Sequence, residues 1–310
     1  MRPRPQNKGR KDAVMIVPIP GPDPHPKTPE VPTPAHACDC HAHIFGPSDR
    51  FPYADGRGYT PPDAPVDNYL SMLDALGIER GVCVQGNAHG YDNRAILDAV
   101  GRHPERLRAV GITDLRATPE TLRRWHETGM RGLRFHLFHP DHRPGYVRGV
   151  GLGVFEAFRA TMIELGWHIQ VWCDWRQLDE LVPIFEDIAH DLPIVVDHML
   201  NVEAASGPGQ PSFQTLLRLL GEDLCWVKVS GAYRVSRRFP DYPDARPLHE
   251  ALVRTNPERL VWGTDWPHPQ MAAEKMPNDG HLLDLFNAWT PDEATRHRIL
   301  VANPQHLYGF

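Results

Sequence analysis

Residues 193–198 read Pro193-Ile194-Val195-Val196-Asp197-His198, and this stretch decides the fold. Three β-branched residues in a row leave no polar face, and two polar residues then follow at once. A strand with one wet face alternates apolar and polar side chains. An unbroken apolar run belongs to a strand covered on both faces, as in a parallel sheet packed under helices. Trp226-Val227-Lys228-Val229-Ser230 reads the same way. Working outward, eight short β-rich runs appear, at residues 38–43, 81–85, 108–112, 132–136, 168–172, 193–197, 226–229 and 260–263. Helical patterns separate them. Val66, Tyr69, Met72, Leu73 and Leu76 share one helical face, as do Leu178, Leu181, Val182, Phe185 and Ile188, while Leu216, Leu217, Leu219 and Leu220 make a wider one. Pro119 and Pro291 each follow a threonine able to cap a helix, Thr118 and Thr290. Eight βα units predict an α/β fold, a (β/α)₈ TIM-like barrel. The rival, an open doubly wound sheet, lacks a glycine-rich phosphate loop after its first strand.

A barrel of this kind takes about 250 residues. The chain has 310, so residues 36–310 are expected to form one catalytic domain, and residues 1–35, rich in proline and charge, a flexible or draped arm. The basic start and short apolar patch of that arm loosely suggest a signal peptide. Prolines 18 and 20 interrupt the patch and no small-residue cleavage site follows. The net charge of -6 without a basic run argues against nucleic acid, and no apolar run is long enough for a membrane helix. Five scattered cysteines, Cys38, Cys40, Cys83, Cys173 and Cys225, fit a reducing, cytoplasmic setting better than a disulfide framework. Cys38 and Cys40 read as strand residues.

Function is expected where strands end, because barrel enzymes build their sites at the carboxyl rim. The first strand ends Asp39-Cys40-His41-Ala42-His43, and alternation predicts that Asp39, His41 and His43 point the same way, into the mouth. Two adjacent imidazoles can hold a metal or donate to an oxygen, although satisfied structural histidines would look the same. His198 follows strand six and Asp265 follows strand eight, where a carboxylate can take a proton from water or bind a metal. Gly263 permits close approach, and Trp266-Pro267 suggests a chain reversal. Arg134 and Arg234 at the rim suit an anionic substrate, whereas Arg131 reads as a surface ion pair. Lys228 lies inside a strand, where burial would demand a partner. Tyr59, Asn87 and His89 lie in loops that could hydrogen-bond a substrate, and His136 and His139 follow strand four.

The motifs DCHAHIFGP, GMRGLRF, IVVDHM, VWGTDWPHP and the terminal VANPQHLYGF resemble the amidohydrolase superfamily, and within it the 2-pyrone-4,6-dicarboxylate lactonase-like branch, from about Ala37 to Leu307. The resemblance implies a distorted barrel of the amidohydrolase type and a place in aromatic-compound catabolism. It implies that Asp265 activates water while His41, His43 and His198 polarise a lactone carbonyl. It implies that Arg134, Arg234 and Tyr59 bind substrate, with Asn87 where that branch has serine and His89 matching a histidine. Departures are visible too. Pro140 replaces a substrate-binding arginine, for which Arg143 or Arg148 is the available substitute. No arginine follows His198, and Trp172 replaces a tyrosine. The expected activity is hydrolysis of a carboxylated lactone without a required cofactor. Zinc or manganese on His41, His43 and Asp265 is the open alternative, and a metal-dependent decarboxylase of the same superfamily is the rival activity. A barrel that only binds a carboxylate would have no need of a base beside three imidazoles. Monomer and homo-oligomer both remain open.

Overall fold

The computed structural model describes residues 17–138 and 151–310. His139, Pro140, Arg143 and Arg148 lie outside the described residues. Eight strands form one parallel sheet: β1 Cys38–Ala42, β2 Arg80–Val84, β3 Leu107–Gly111, β4 Met130–Leu137, β5 His168–Cys173, β6 Ile194–Val196, β7 Trp226–Lys228 and β8 Leu260–Val261. Each pairs with its neighbour in sequence, in the order β8 to β1. The sheet curls until its edges meet. Cys40 N–H donates to the Trp262 carbonyl (2.9 Å), Asp265 N–H to His41 (2.7 Å) and His43 N–H to Trp266 (2.7 Å). Strand eight as read from sequence is longer than the two residues that adopt ladder geometry. Residues 262–266 close the barrel instead with an irregular seam. Gly263 is required there, since a Cβ would sit 2.6 Å from the His41 nitrogen.

Helices cover the outside. α1 Val66–Leu76 lays Tyr69, Met72, Leu73 and Leu76 on the barrel and stops at Gly77, whose φ of 68° suits glycine. α2 is Asp279–Trp289. The inner core joins Cys38, Cys40, Val82, Val84, Val110, Val195 and Val261, with Leu307 and Tyr308 plugging one end. Both cysteines are buried and free, so they act as packing residues. Each aliphatic side chain so buried contributes about 1.5–3 kcal/mol. Thr118 caps its helix by accepting from Thr121 N–H. Thr290 does not cap the next one. Its hydroxyl meets buried His249 (2.7 Å), and Asp292 caps the helix by accepting from Thr295 N–H (2.8 Å). Burial of His249 demanded a polar partner, and that demand captured the threonine.

The described part of the arm is draped on the body. Val17–Pro18 pairs in parallel with Tyr59–Thr60. Lys27 N–H donates to Asn278 and its Nζ reaches Asp284 (2.8 Å each), so the arm lies against the start of α2. No helix among the described residues is long and apolar enough to cross a membrane.

Candidate active site

The strand ends converge on a cavity lined by His43, Tyr59, Asn87, Arg134, Trp172, His198, Arg234 and Asp265, among others. His41 lies just beneath, between His43 and His198, with ring centroids 5.0 and 4.5 Å away. The alternation expected for β1 fails. Its register against β2 slips between Asp39 and Ala42. Asp39 therefore turns to Tyr69 on α1 (3.1 Å) and to Thr264, whose N–H and hydroxyl donate at 2.9 and 2.6 Å. It ties strand one to the seam instead of facing the mouth. His198 starts a run of left-handed backbone through Asn201, with φ between 47° and 63°, and Asp265 has φ of 63°. Non-glycine residues held this way cost about 1–3 kcal/mol each and persist only where surrounding contacts impose them. Here they aim both side chains at the cavity.

Asp265 is the centre. Its Oδ2 accepts from the Tyr233 hydroxyl (2.6 Å) and from Arg234 Nε. Its Oδ1 has no hydrogen-bond donor, yet it lies 3.2 Å from His43 Nε2 and 3.7 Å from His41 Nε2. His198 Nε2 is 3.7 Å from Oδ2. Burial alone would raise this carboxyl's pKa, but the Arg234 guanidinium outweighs it and holds the group well below the usual carboxylate range. Tyr233 also meets His268 Nδ1 (3.1 Å), and His268 Nε2 meets Asp279 (3.0 Å), so a buried chain of polar groups runs from Asp265 to α2. Sequence reasoning missed Tyr233, His268 and Asp279. Their only signal was proximity to chosen residues, Tyr233 beside Arg234 and His268 within WPHP.

The remaining expected residues divide. Arg134 binds Asp197 through Nε (3.0 Å) and Nη2 (2.8 Å), stacks over Trp172 and still lines the cavity. His89 lies outside the cavity lining. Its Nε2 accepts from Gly46 N–H (3.2 Å) and its Nδ1 meets the Pro52 carbonyl (3.3 Å), which braces the loop after β1. Arg131 donates to the carbonyls of His126 and Met130 instead of forming a surface ion pair. His136 packs edge-on against Trp172. Below His41, buried Lys228 contacts the Cys40 carbonyl, Gln170 and His41, and lies 3.6 Å from Asp197.

Among the described residues burial lowers six imidazoles below their ordinary value of 6.5: His41 well below, His168, His198 and His249 to about 3, and His89 and His126 as well. These groups contribute stability fully present above 6.5 and lost as pH falls from there. Burial raises Asp39 to about 6, which acts in the opposite sense. As pH falls below about 6.5 the unfolded chain therefore takes up more protons than the folded one, and stability should fall. Urea midpoints measured at pH 7, 6 and 5 should drop steeply over the last interval. A flat midpoint would contradict the buried neutral imidazoles.

By distance, His41, His43 and Asp265 can hold a divalent ion, as can His41, Asp197 and His198, each set of ligating atoms lying within 4.8 Å of one another. The amidohydrolase family model matches residues 38–310. The chain is 41% identical over 270 residues to a 4-sulfomuconolactone hydrolase of Rhizobium radiobacter, covering 87% of this chain and 88% of that protein. It is 33% identical over 283 residues to a 2-pyrone-4,6-dicarboxylate hydrolase of Comamonas testosteroni, covering 86% and 88%. Among solved structures, a probable 2-pyrone-4,6-dicarboxylic acid hydrolase from Acinetobacter baumannii with citric acid bound superposes with a TM-score of 0.75 at 26% identity, covering 89% and 100%. A 2,6-dihydroxybenzoate decarboxylase shares the fold alone, with a TM-score of 0.52 at 17% identity.

Proposed function

The chain belongs to the amidohydrolase family, and from that premise we propose that it hydrolyses a lactone bearing anionic substituents, by attack of a water held between Asp265 and His43. The observation that carries this reading is the asymmetry of Asp265. One oxygen is saturated by Tyr233 and Arg234, and the other is free beside His43 Nε2. His43 Nδ1 lies 2.8 Å from the Val84 carbonyl, which can only accept, so in the neutral ring Nδ1 carries the proton and Nε2 is bare. Two adjacent acceptors suit the two hydrogens of one water. Asp265 Oδ1 takes one proton as the water oxygen adds to the ring carbonyl. His198 donates to the oxygen that becomes negative, and each such donor is worth about 3–4 kcal/mol. The ring C–O bond then breaks, and Asp265 returns the proton to the leaving oxygen. Arg134 and Arg234, with Tyr59 and Asn87, face the anionic groups of the substrate. His89 supports the loop that brings Asn87 there.

The named substrates of the two relatives, a sulfonated and a dicarboxylated lactone, support the anionic class, as does citric acid in the Acinetobacter structure. Decarboxylation ranks behind, since only fold-level similarity speaks for it. The test is a panel of carboxylated, sulfonated and neutral lactones, followed by ring opening and carbon dioxide release. Turnover of the anionic lactones above the neutral ones is expected. Carbon dioxide release without ring opening would replace the proposal.

His41, His43 and Asp265 fit zinc or manganese by distance and donor type, because His41 Nε2 and Asp265 Oδ1 are buried without partners. A bound ion would supply a more acidic water and a polarised carbonyl. The proposed hydrolysis draws on no such ion. Arg134, Arg234 and Lys228 already place three cations against Asp197 and Asp265, which disfavours a further dication. Dialysis against a chelator should leave lactone turnover intact. Loss of activity restored by zinc or manganese would overturn the metal-free reading.

A further inference from the structure

We propose that Lys228 fixes His41 in the tautomer with its proton on Nε2, which makes this ring a donor to the reacting oxygen and withdraws it from the atoms able to ligate a divalent ion. The catalytic consequence rests on the lactone reading above; the tautomer does not.

Lys228 is fully buried on β7. Its Nζ has three neighbours within hydrogen-bond distance: the Cys40 carbonyl (2.9 Å), Gln170 Oε1 (2.8 Å) and His41 Nδ1 (3.1 Å). The Gln170 amide cannot be turned about, because its Nε2 donates to Asp197 Oδ2 (3.1 Å). Burial opposes the charge on Nζ, but two acceptor-only oxygens and Asp197 Oδ1 surround it and hold it as an ammonium, which has three N–H donors and no lone pair. Two are taken by oxygens that can only accept, and the third meets His41 Nδ1, which must therefore be bare. Asp197 Oδ1, 3.6 Å from Nζ, balances the charge. The same oxygen is the rival partner for Nδ1, at 3.3 Å against 3.1 Å for Lys228. A ring with a bare Nδ1 is neutral, so its one proton resides on Nε2. That atom is buried, without a partner, and lies 3.7 Å from Asp265 Oδ1.

His43, two residues along the same strand, is held the other way by the Val84 carbonyl. One strand thus presents an acceptor for water and a donor for the oxyanion. An ion at His41, His43 and Asp265 would need both Nε2 atoms bare. Lys228 removes one of them.

The experiment is long-range proton–nitrogen NMR of the histidine rings in the resting, metal-free protein, with His41→Asn to assign the signal. Wild type should show His41 protonated at Nε2. In Lys228→Met, Nδ1–H should turn to Asp197 and Nε2 become bare. Zinc affinity should then rise about 10- to 100-fold, the range by which partners of a metal-binding imidazole change affinity. In the same variant kcat should fall more than KM rises. A wild-type ring protonated at Nδ1 overturns the proposal even if no variant folds. An unchanged tautomer and zinc affinity in Lys228→Met also overturn it. The resting spectrum needs no substrate, so a protein that shows the Nε2 tautomer but opens no lactone refutes the functional reading and leaves this one standing.

Discussion

Asp265→Asn should lower kcat on an anionic lactone by about 10²- to 10⁴-fold, the range a positioned general base contributes. The neighbouring acceptor that could take over is His43 Nε2, a neutral ring nitrogen beside the same water. His198 lies on Oδ2, the side already held by Tyr233 and Arg234, and only Oδ1 lies beside His43. KM should change far less, since Arg134, Tyr59 and Asn87 are untouched. An asparagine oxygen can still accept from Tyr233 and Arg234, so the cavity should keep its shape. The measurement is steady-state kinetics beside a thermal melt. Turnover within tenfold of wild type would remove Asp265 from the role of base.

Asp197→Ala should be the most destabilising single change at the site, with a loss of about 3–5 kcal/mol. Asp197 is fully buried and meets Arg134 at 2.8 Å, Gln170 at 3.1 Å, His41 at 3.3 Å and Lys228 at 3.6 Å. Removing it leaves two cations in the interior without an anion. The comparison is Arg123→Ala, which breaks a pair with Glu164 whose side chains are 42% and 53% exposed. Exposed pairs contribute about 0–1 kcal/mol. Urea unfolding of both variants tests this. Equal midpoints would mean that the buried cluster is neutral in the folded protein.

The fold was legible because buried parallel strands leave an unmistakable pattern, as in Ile194-Val195-Val196, and because strand ends are where polar residues break that pattern. His41, His43, His198 and Asp265 were legible for the same reason. What was lost is what alternation cannot express. The slip in β1 turned Asp39 away from its neighbours, and no residue in the local sequence signals it. His89 was chosen for its type and loop, but whether a ring faces substrate or braces a loop depends on Gly46 and Pro52, far along the chain. The need for a partner at Asp197 and Lys228 could be read from burial. That they belong to one cluster with Arg134 and Gln170 could not, since it joins four strands. The chain from Tyr233 through His268 to Asp279 is likewise a product of tertiary packing.

The seam that shuts the barrel bears on how this protein is made. A polypeptide emerges from its N-terminus, so β1 is synthesised early, while the backbone that pairs with His41 and His43 arrives only with residues 262–266. Until then the edge of β1 offers unpaired amides to any passing strand, a recognised route to aggregation. Premature termination anywhere before Asp265 therefore does two kinds of harm at once. It deletes the nucleophile's partner and leaves a sticky border, so shortened products should be insoluble as well as inert.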